Sequence, residues 1–104
     1  MKKIKIFKLK SYIKKSGKLV PIKFNNKFPI KVERIFYIFG KKNYYRGDHA
    51  HKKCSQVFYP LFGKAKITIQ SKKIKKNITL NYKNDKAMLV PPKTWCDVKF
   101  LTKN

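Results

Sequence analysis

The stretch YYRGDHAHKKCSQVFYPLFG, residues 44–63, contains both histidines of the chain, one residue apart. In an extended segment, residues i and i+2 point to the same face, so His49 and His51 would stand side by side. Gln56 would face the other way on an unbroken strand. If residues 52–55 form a tight turn, Gln56 begins the next strand and can face the same cavity. The stretch therefore predicts a site built on paired imidazoles.

Short β-prone runs separated by turn residues fill the rest of the chain, and no window has a helical pattern of useful length. Gly63 is interpreted as a hairpin marker between two runs, and residues 15–18 and 81–85 as turns. The strongest run is VERIFYIF, residues 32–39. The predicted strands cover residues 4–9, 19–24, 32–39, 56–62, 64–70, 76–80, 87–92 and 97–101. Regularly spaced strands of this kind predict an all-β sandwich or barrel in a single domain, residues 1–104.

The composition is dominated by lysine: 28 basic side chains against four acidic ones give a net charge of +24. Arg34 and Arg46 are the two arginines, whereas nucleic-acid readers usually depend on arginine for bidentate contacts. The scattered lysines are therefore interpreted as a solvated surface that attracts anionic ligands. A basic nucleic-acid binder stays open as a lesser alternative, although it gives no reason for the histidine spacing.

The chain has no apolar run long enough to cross a bilayer and no apolar signal-peptide region at its start. Cys54 and Cys96 lack the close spacing of a metal site, which favours reduced thiols. These features predict a soluble cytoplasmic protein that contacts no membrane.

Three readings of the histidine pair are open: a metal site, proton-transfer chemistry, or hydrogen bonds within a barrel or at its surface. Gln56 offers a neutral amide where a metal would prefer a carboxylate. An unperturbed histidine has a pKa of about 6.5, so it can accept and return a proton near neutrality. The sequence therefore favours proton transfer and predicts no metal.

The spacing His-x-His, four residues, Gln, six residues, Gly63 resembles the first motif of the cupins, in which a glutamate usually stands at the glutamine position. The later cupin motif corresponds to PPKTWC, residues 91–96, with Lys93 in place of its glycine and Cys96 in place of its histidine. This resemblance implies a jelly roll, or double-stranded β-helix, with a ligand cavity inside the barrel.

A more specific likeness covers roughly residues 10–98. YRGDHAHKK resembles the Arg-Gly-x-His-Ala-His-Lys stretch of the sugar 3,4-ketoisomerases that act on dTDP-4-keto-6-deoxyglucose. FPIKVERIFYIFG resembles the family strand that carries an arginine and, three residues later, a tyrosine, here Arg34 and Tyr37. SGKLVPIKF and MLVPPKTW resemble two further family segments.

The resemblance implies an isomerase that needs no cofactor and moves a ketone from carbon 4 to carbon 3 through an enediol, for surface polysaccharide synthesis. His49, as the carbon base, and His51, as the shuttle, would divide the proton transfers, although the order stays open. Tyr37 would be a third catalytic candidate. The expected substrate-binding residues are Arg46, Arg34 and Gln56. The family also forms homodimers by strand exchange.

The chain departs from the family in three places. Ser16 replaces the arginine of an early Arg-Gly pair, and Cys96 replaces the histidine of a Trp-His pair. The family also continues for some thirty residues beyond Asn104, so the barrel is expected to be short of its last strands. A noncatalytic cupin that binds a nucleotide sugar or regulates a partner enzyme is the main alternative.

Overall fold

A computed structural model describes residues 4–50, 55–70 and 75–102, and for residues 47–50 it describes the backbone alone. The described chain is all-β, and its helical content is one 3-10 turn, Tyr82–Asn84. The strands are β1 (Lys5–Lys8), β2 (Tyr12–Lys14), β3 (Gly17–Leu19), β4 (Tyr45–Ala50), β5 (Gln56–Phe58), β6 (Lys64–Gln70), β7 (Lys75–Asn81), β8 (Lys86–Val90) and β9 (Trp95–Phe100).

The strands form two main antiparallel sheets and a small hairpin. One sheet has the order β1-β8-β5 and the other has the order β4-β9-β6-β7, while β2 pairs with β3. From β4 onward the chain passes repeatedly between the two main sheets. This alternation is typical of a jelly roll and confirms the predicted all-β class.

The core lies between the two main sheets. Met88 and Val90 of β8 pack with Ile67, Ile69 and other residues of the four-stranded sheet in one buried cluster. Side chains alternate along a strand, so these residues form the inner face of each sheet. The other members of the cluster are Leu80, Cys96 and Val98, with Ile4, Phe58, Ala65, Ile78 and Phe100 partly buried against it.

The outer face of the three-stranded sheet is covered by the segment after β3. Phe7 lies opposite Ala87 in the β1–β8 ladder, and its ring meets that of Phe28 edge to face at 6.0 Å. Ala87 and Leu89 are consequently buried although they point away from the main core. Strand β8 is therefore enclosed on both faces.

Most predicted strands are confirmed, and residues 64–70 match β6 at both ends. The predicted strand over residues 32–39 is wrong for this chain, because no strand is assigned between residues 20 and 44. Its β-prone side chains do not suffice, since a strand also needs a neighbour to accept its backbone hydrogen bonds. The strand predicted over residues 19–24 is likewise reduced to Leu19, the last residue of β3.

Gly63 has a positive φ of 71°, but it is not the turn of a hairpin. It ends the connection from β5 to β6, and these strands lie in different sheets. The Gly63 carbonyl accepts a hydrogen bond from the Tyr82 N–H at 3.0 Å. The prediction of a local hairpin was wrong, because this turn carries the chain between sheets. The tight turn predicted over residues 52–55 lies outside the described residues except for Ser55.

Candidate active site

One wall of the candidate site is the ladder between β4 and β9. Arg46 lies opposite Val98 and Gly47 opposite Asp97, and after a shift in register His49 lies opposite Cys96. The shift leaves Asp48 as an extra residue, as in a β-bulge. Without this extra residue, Asp48 would take the position opposite Cys96. His49 would then move to the other face of the strand, because a slip of one residue exchanges the two faces. The bulge therefore gives His49 a register position opposite a core residue.

The same bulge gives Arg46 and His49 cross-strand partners on the same face of β9. Residues three apart on a regular strand belong to opposite faces. Here their cross-strand partners are Val98 and Cys96, which are both buried on the inner face of β9. The Arg46 side chain is exposed. The structure thus places two of the predicted site residues in matching register positions.

The facing sheet contributes Gln56. This residue begins β5 and lies opposite Val90, with its side chain half-buried. Val90 belongs to the same buried cluster as Cys96. The register positions of Gln56 and His49 therefore lie over one shared cluster from two different sheets. The side chain of His49 and all of His51 lie outside the described residues.

Cys96 is a buried titratable residue that lies opposite His49 beneath this site. It is 5% exposed, and its thiol is free. Burial, and then the neighbouring Asp97 carboxylate, raise the pKa of Cys96 to about 11. The group is consequently a neutral thiol at neutral pH, whereas metal binding requires the thiolate.

Arg34 and Tyr37 are not enclosed with these residues. Both lie on the segment without assigned strand, and Tyr37 is 67% exposed. The Tyr37 ring meets that of Phe39 edge to face at 5.4 Å, and the Arg34 guanidinium lies 5.4 Å from the centre of the Phe36 ring. Within one copy of the chain, neither Arg34 nor Tyr37 lies over the buried cluster that contains Val90 and Cys96.

A polar cluster that the sequence analysis missed ties the β2–β3 hairpin to the 3-10 turn. Lys18 forms an ion pair with Asp85, and its Nζ donates to the Tyr82 carbonyl at 3.2 Å. Hydrogen bonding from Lys18, and more weakly from Ser11, lowers the pKa of Asp85. Burial, and then the Asp85 carboxylate, raise the pKa of Tyr59. The sequence did contain a signal for this ion pair. The chain has only four acidic residues among 28 basic ones, so a buried carboxylate is expected to pair with a lysine.

A shallow depression of about 470 Å³ lies in the loop over residues 24–32, between Phe24 and Val32. None of the predicted site residues lines it. Its lining is largely Phe, Pro, Ile and Asn side chains, with Lys31 as its cation, so it offers no converging charges for a diphosphate. The described residues therefore favour the region between β4 of one sheet and β5 of the other as the candidate site.

The chain matches the family described as WxcM-like, C-terminal (FdtA) over residues 2–104. It belongs to this family. The chain is also 37% identical over 78 residues to the TDP-4-oxo-6-deoxy-alpha-D-glucose-3,4-oxoisomerase of Aneurinibacillus thermoaerophilus. The match covers 74% of this chain and 56% of that relative, so the chain spans little more than half of the relative's length.

Solved structures of sugar 3,4-ketoisomerases show the same fold. QdtA, a sugar 3,4-ketoisomerase from Thermoanaerobacterium thermosaccharolyticum in complex with TDP, is 31% identical with a TM-score of 0.86, covering 95% of this chain and 72% of that one. A histidine-to-asparagine mutant of QdtA was solved with TDP-4-keto-6-deoxyglucose and has the same TM-score. The TDP-quinovose 3,4-ketoisomerase WlaRB of Campylobacter jejuni is 28% identical with a TM-score of 0.86, covering 100% of this chain and 80% of that one. The cupin-like jelly roll is thereby confirmed.

No helix in the described part of this WxcM-like chain is both long and apolar enough to cross a membrane.

Proposed function

We propose that this chain is a sugar-nucleotide 3,4-ketoisomerase that acts on dTDP-4-keto-6-deoxyglucose. Membership of the WxcM-like family and the ketoisomerase relatives support the reaction class. The single structural observation that carries the proposal is the β4 register, which sets His49 opposite Cys96 above the core. Gln56 from the facing sheet then bounds the same space.

The reaction is a double proton transfer with no net change in atoms. The carbon 4 ketone acidifies the carbon 3 proton, and a base removes it while the carbon 4 oxygen takes up a proton, which gives an enediol. Loss of the carbon 3 hydroxyl proton and return of a proton to carbon 4 leave the ketone at carbon 3. We assign the carbon base to His49 and the shuttle between oxygens to His51, because imidazole can accept and donate near neutrality.

The remaining residues bind the substrate. Arg46 is exposed near the site and can form charge-assisted hydrogen bonds to the diphosphate. The chain's charge of +24 raises the local concentration of such an anion. Gln56 orients the sugar or a histidine. Arg34 and Tyr37 complete the set of proposed binding and catalytic residues.

The isomerase requires no metal under this proposal. The site offers a neutral amide at Gln56 and, at Cys96, a thiol whose raised pKa keeps it protonated. Neither group is a good metal ligand in that state.

The protein would work in the cytoplasm as a single-domain homodimer that exchanges strands, and its product would supply surface polysaccharide.

A proton NMR time course with dTDP-4-keto-6-deoxyglucose in heavy water tests this function. We expect the carbon 3 proton signal to disappear and 3-keto product to form, with both changes lost in His49→Asn or His51→Asn. A folded protein that binds the nucleotide sugar without exchanging this proton would instead be a noncatalytic cupin. Binding to generic DNA with a steep salt dependence, and no binding of the sugar nucleotide, would indicate a nucleic-acid binder.

A further inference from the structure

The connection from β5 to β6 exposes two large apolar side chains that follow each other in the chain. Leu61 is 67% exposed and Phe62 is 63% exposed. Single exposed apolar residues are common on protein surfaces and need no explanation, whereas adjacent ones in a connection between strands form a patch that a partner can bind. Residues 61–62 are here called the tip.

Ordered neighbours hold the tip in place. The Phe62 ring stacks on the Tyr82 ring, with 5.0 Å between their centres and 26° between their planes. The backbone of Tyr82 is joined to the same connection by its hydrogen bond to the Gly63 carbonyl. On the other side, the Leu101 N–H donates to the Lys64 carbonyl at 3.0 Å. The tip is therefore presented outward by hydrogen-bonded backbone.

Lysines flank the tip, and the nearest carboxylate is buried. Lys64 follows the tip directly, and Lys83 follows Tyr82, and both lysine side chains are exposed. Within residues 59–64 and 81–86, all of which the structure describes, Asp85 is the acidic residue. It is 5% exposed and paired with Lys18. These two connections therefore present cations and apolar side chains to solvent with no exposed carboxylate among them.

The tip lies away from the candidate site. Lys64 begins β6, and Ile69, five residues further along that strand, lies opposite Cys96. Since a strand rises about 3.3 Å per residue, Lys64 is roughly 16 Å along the sheet from the level of Cys96. A surface that contacts the tip can therefore leave the region between β4 and β5 open to substrate.

An anionic lipid bilayer suits this combination of residues. Its interface accepts apolar side chains at the depth of the headgroups, and it attracts nearby lysines, each of which strengthens binding by about fivefold. A stable protein partner would instead need to bury on the order of 1,000 Å² against a complementary surface. Two protruding side chains present much less apolar area than such an interface requires.

We propose that the protein docks reversibly on an anionic bilayer through the tip. Leu61 and Phe62 lie at the level of the headgroups, and Lys64 and Lys83 lie beside the lipid phosphates. This inference departs from the sequence-based expectation that the chain contacts no membrane. That expectation considered long apolar runs, whereas docking of this kind needs no spanning segment. The inference does not depend on the isomerase activity proposed above.

Co-sedimentation of the full chain with vesicles tests the docking. Vesicles of phosphatidylglycerol and phosphatidylcholine in equal parts are compared with vesicles of phosphatidylcholine alone. Physiological ionic strength screens the more distant charges of this chain. We expect binding to the mixed vesicles and about 25-fold weaker binding to the neutral ones, since two lysines lose their attraction. Equal binding to both kinds of vesicle, or binding to neither, would overturn the proposal.

A charge-matched pair of variants locates the contact. Lys64→Gln with Lys83→Gln should weaken binding to the mixed vesicles by about 25-fold. Lys5→Gln with Lys75→Gln removes the same charge from exposed residues that lie opposite Leu89 and Gln70, at the other ends of their strands, and should change binding little. Equal losses in the two double mutants would assign the binding to the overall charge and overturn the role of the tip.

A second pair of variants tests the apolar part of the tip. Leu61→Ser with Phe62→Ser should weaken binding by about tenfold or more, because burial of either side chain would be lost. Ile22→Ser with Phe24→Ser, which are exposed by 38% and 52%, serves as the control and should bind as the wild type does. Unchanged binding by the tip variant, with a lower oligomer mass in light scattering, would assign the tip to a contact between copies and overturn the lipid surface.

Tryptophan fluorescence measures insertion without loss of the apolar side chain. In a Trp95→Phe background, Phe62→Trp should be quenched by mixed vesicles whose acyl chains are brominated. Phe24→Trp, whose native ring also contacts another aromatic ring, should stay unquenched in the same vesicles. A Phe62→Trp protein that is bound to the vesicles but unquenched would overturn insertion of the tip.

Discussion

His49 lies directly opposite Cys96 in the antiparallel ladder between β4 and β9, one step after the register shifts at Gly47. Cys96 is buried in the cluster that joins both main sheets. The β4 backbone at His49, the proposed base, is therefore paired with a strand whose inner face belongs to the packed core. The residues at this position of the ladder and in the cluster beneath it can each be tested by substitution.

Replacement of His49 should remove the chemical step. Asn keeps a hydrogen-bonding group of similar size but cannot accept the carbon 3 proton, and general-base catalysis typically contributes ~10²–10⁴-fold. We expect His49→Asn to lower kcat by about that factor with little change in the circular dichroism spectrum. Binding of TDP, measured by calorimetry, serves as the control. A His49→Asn protein with wild-type turnover would show that another residue is the base.

Cys96 should resist thiol reagents in the folded protein. Its thiol is 5% exposed and its pKa is raised to about 11, so little reactive thiolate is present at pH 8. In a Cys54→Ser background, Ellman's reagent should label Cys96 only after unfolding by guanidinium. Rapid labelling of the native protein would mean that the inner face of β9 is open to solvent.

The Lys18–Asp85 ion pair should make stability depend on pH in the acid range. The folded-state pKa of Asp85 is depressed, so the stabilisation is present above the ordinary aspartate pKa of about 3.9 and is lost as pH falls through the lower folded value. Asp85→Asn should therefore destabilise at pH 6 and approach the wild type as pH falls below about 4. Urea unfolding at both pH values measures this, and Asp48→Asn is the control. An unchanged difference at low pH would contradict the assignment.

Gly40 should tolerate no side chain while Phe100 is present. An alanine Cβ would overlap the Phe100 ring, and overpacking of this kind typically costs about 1–3 kcal/mol. Gly40→Ala should lower the unfolding free energy by that amount, and Phe100→Leu should relieve part of the loss in the double mutant. Equal losses in both backgrounds would mean that the ring does not cause the constraint.

Removal of metal should leave the activity unchanged. Besides the two imidazoles, the described site offers an amide and a protonated thiol, which are weak ligands that would not complete a metal site, so our proposal assigns proton transfer to the imidazoles without a metal. Dialysis against EDTA should preserve turnover, and added zinc should not increase it. Loss of activity on chelation, restored by one divalent ion, would contradict the metal-independent mechanism.

The sequence by itself determined the fold class and most of the strands. Residues 64–70 alternate between polar and apolar side chains, and this local period is enough to define β6. The same reasoning failed for residues 32–39, since β-propensity describes a side chain's fitness for a sheet and not the presence of a neighbouring strand. The catalytic candidates came from the spacing of His49, His51 and Gln56 and from family resemblance.

Only the tertiary structure decided how distant residues meet. The bulge at Asp48 sets the register that aligns His49 with Cys96, and no local pattern in the sequence marks an extra residue there. Gln56 pairs with Val90 only because the chain leaves the three-stranded sheet after β5 and returns to it in β8, and Lys18 meets Asp85 only because the fold brings β3 beside the 3-10 turn. These contacts follow from the packing of two sheets around one core, which is a property of the whole chain.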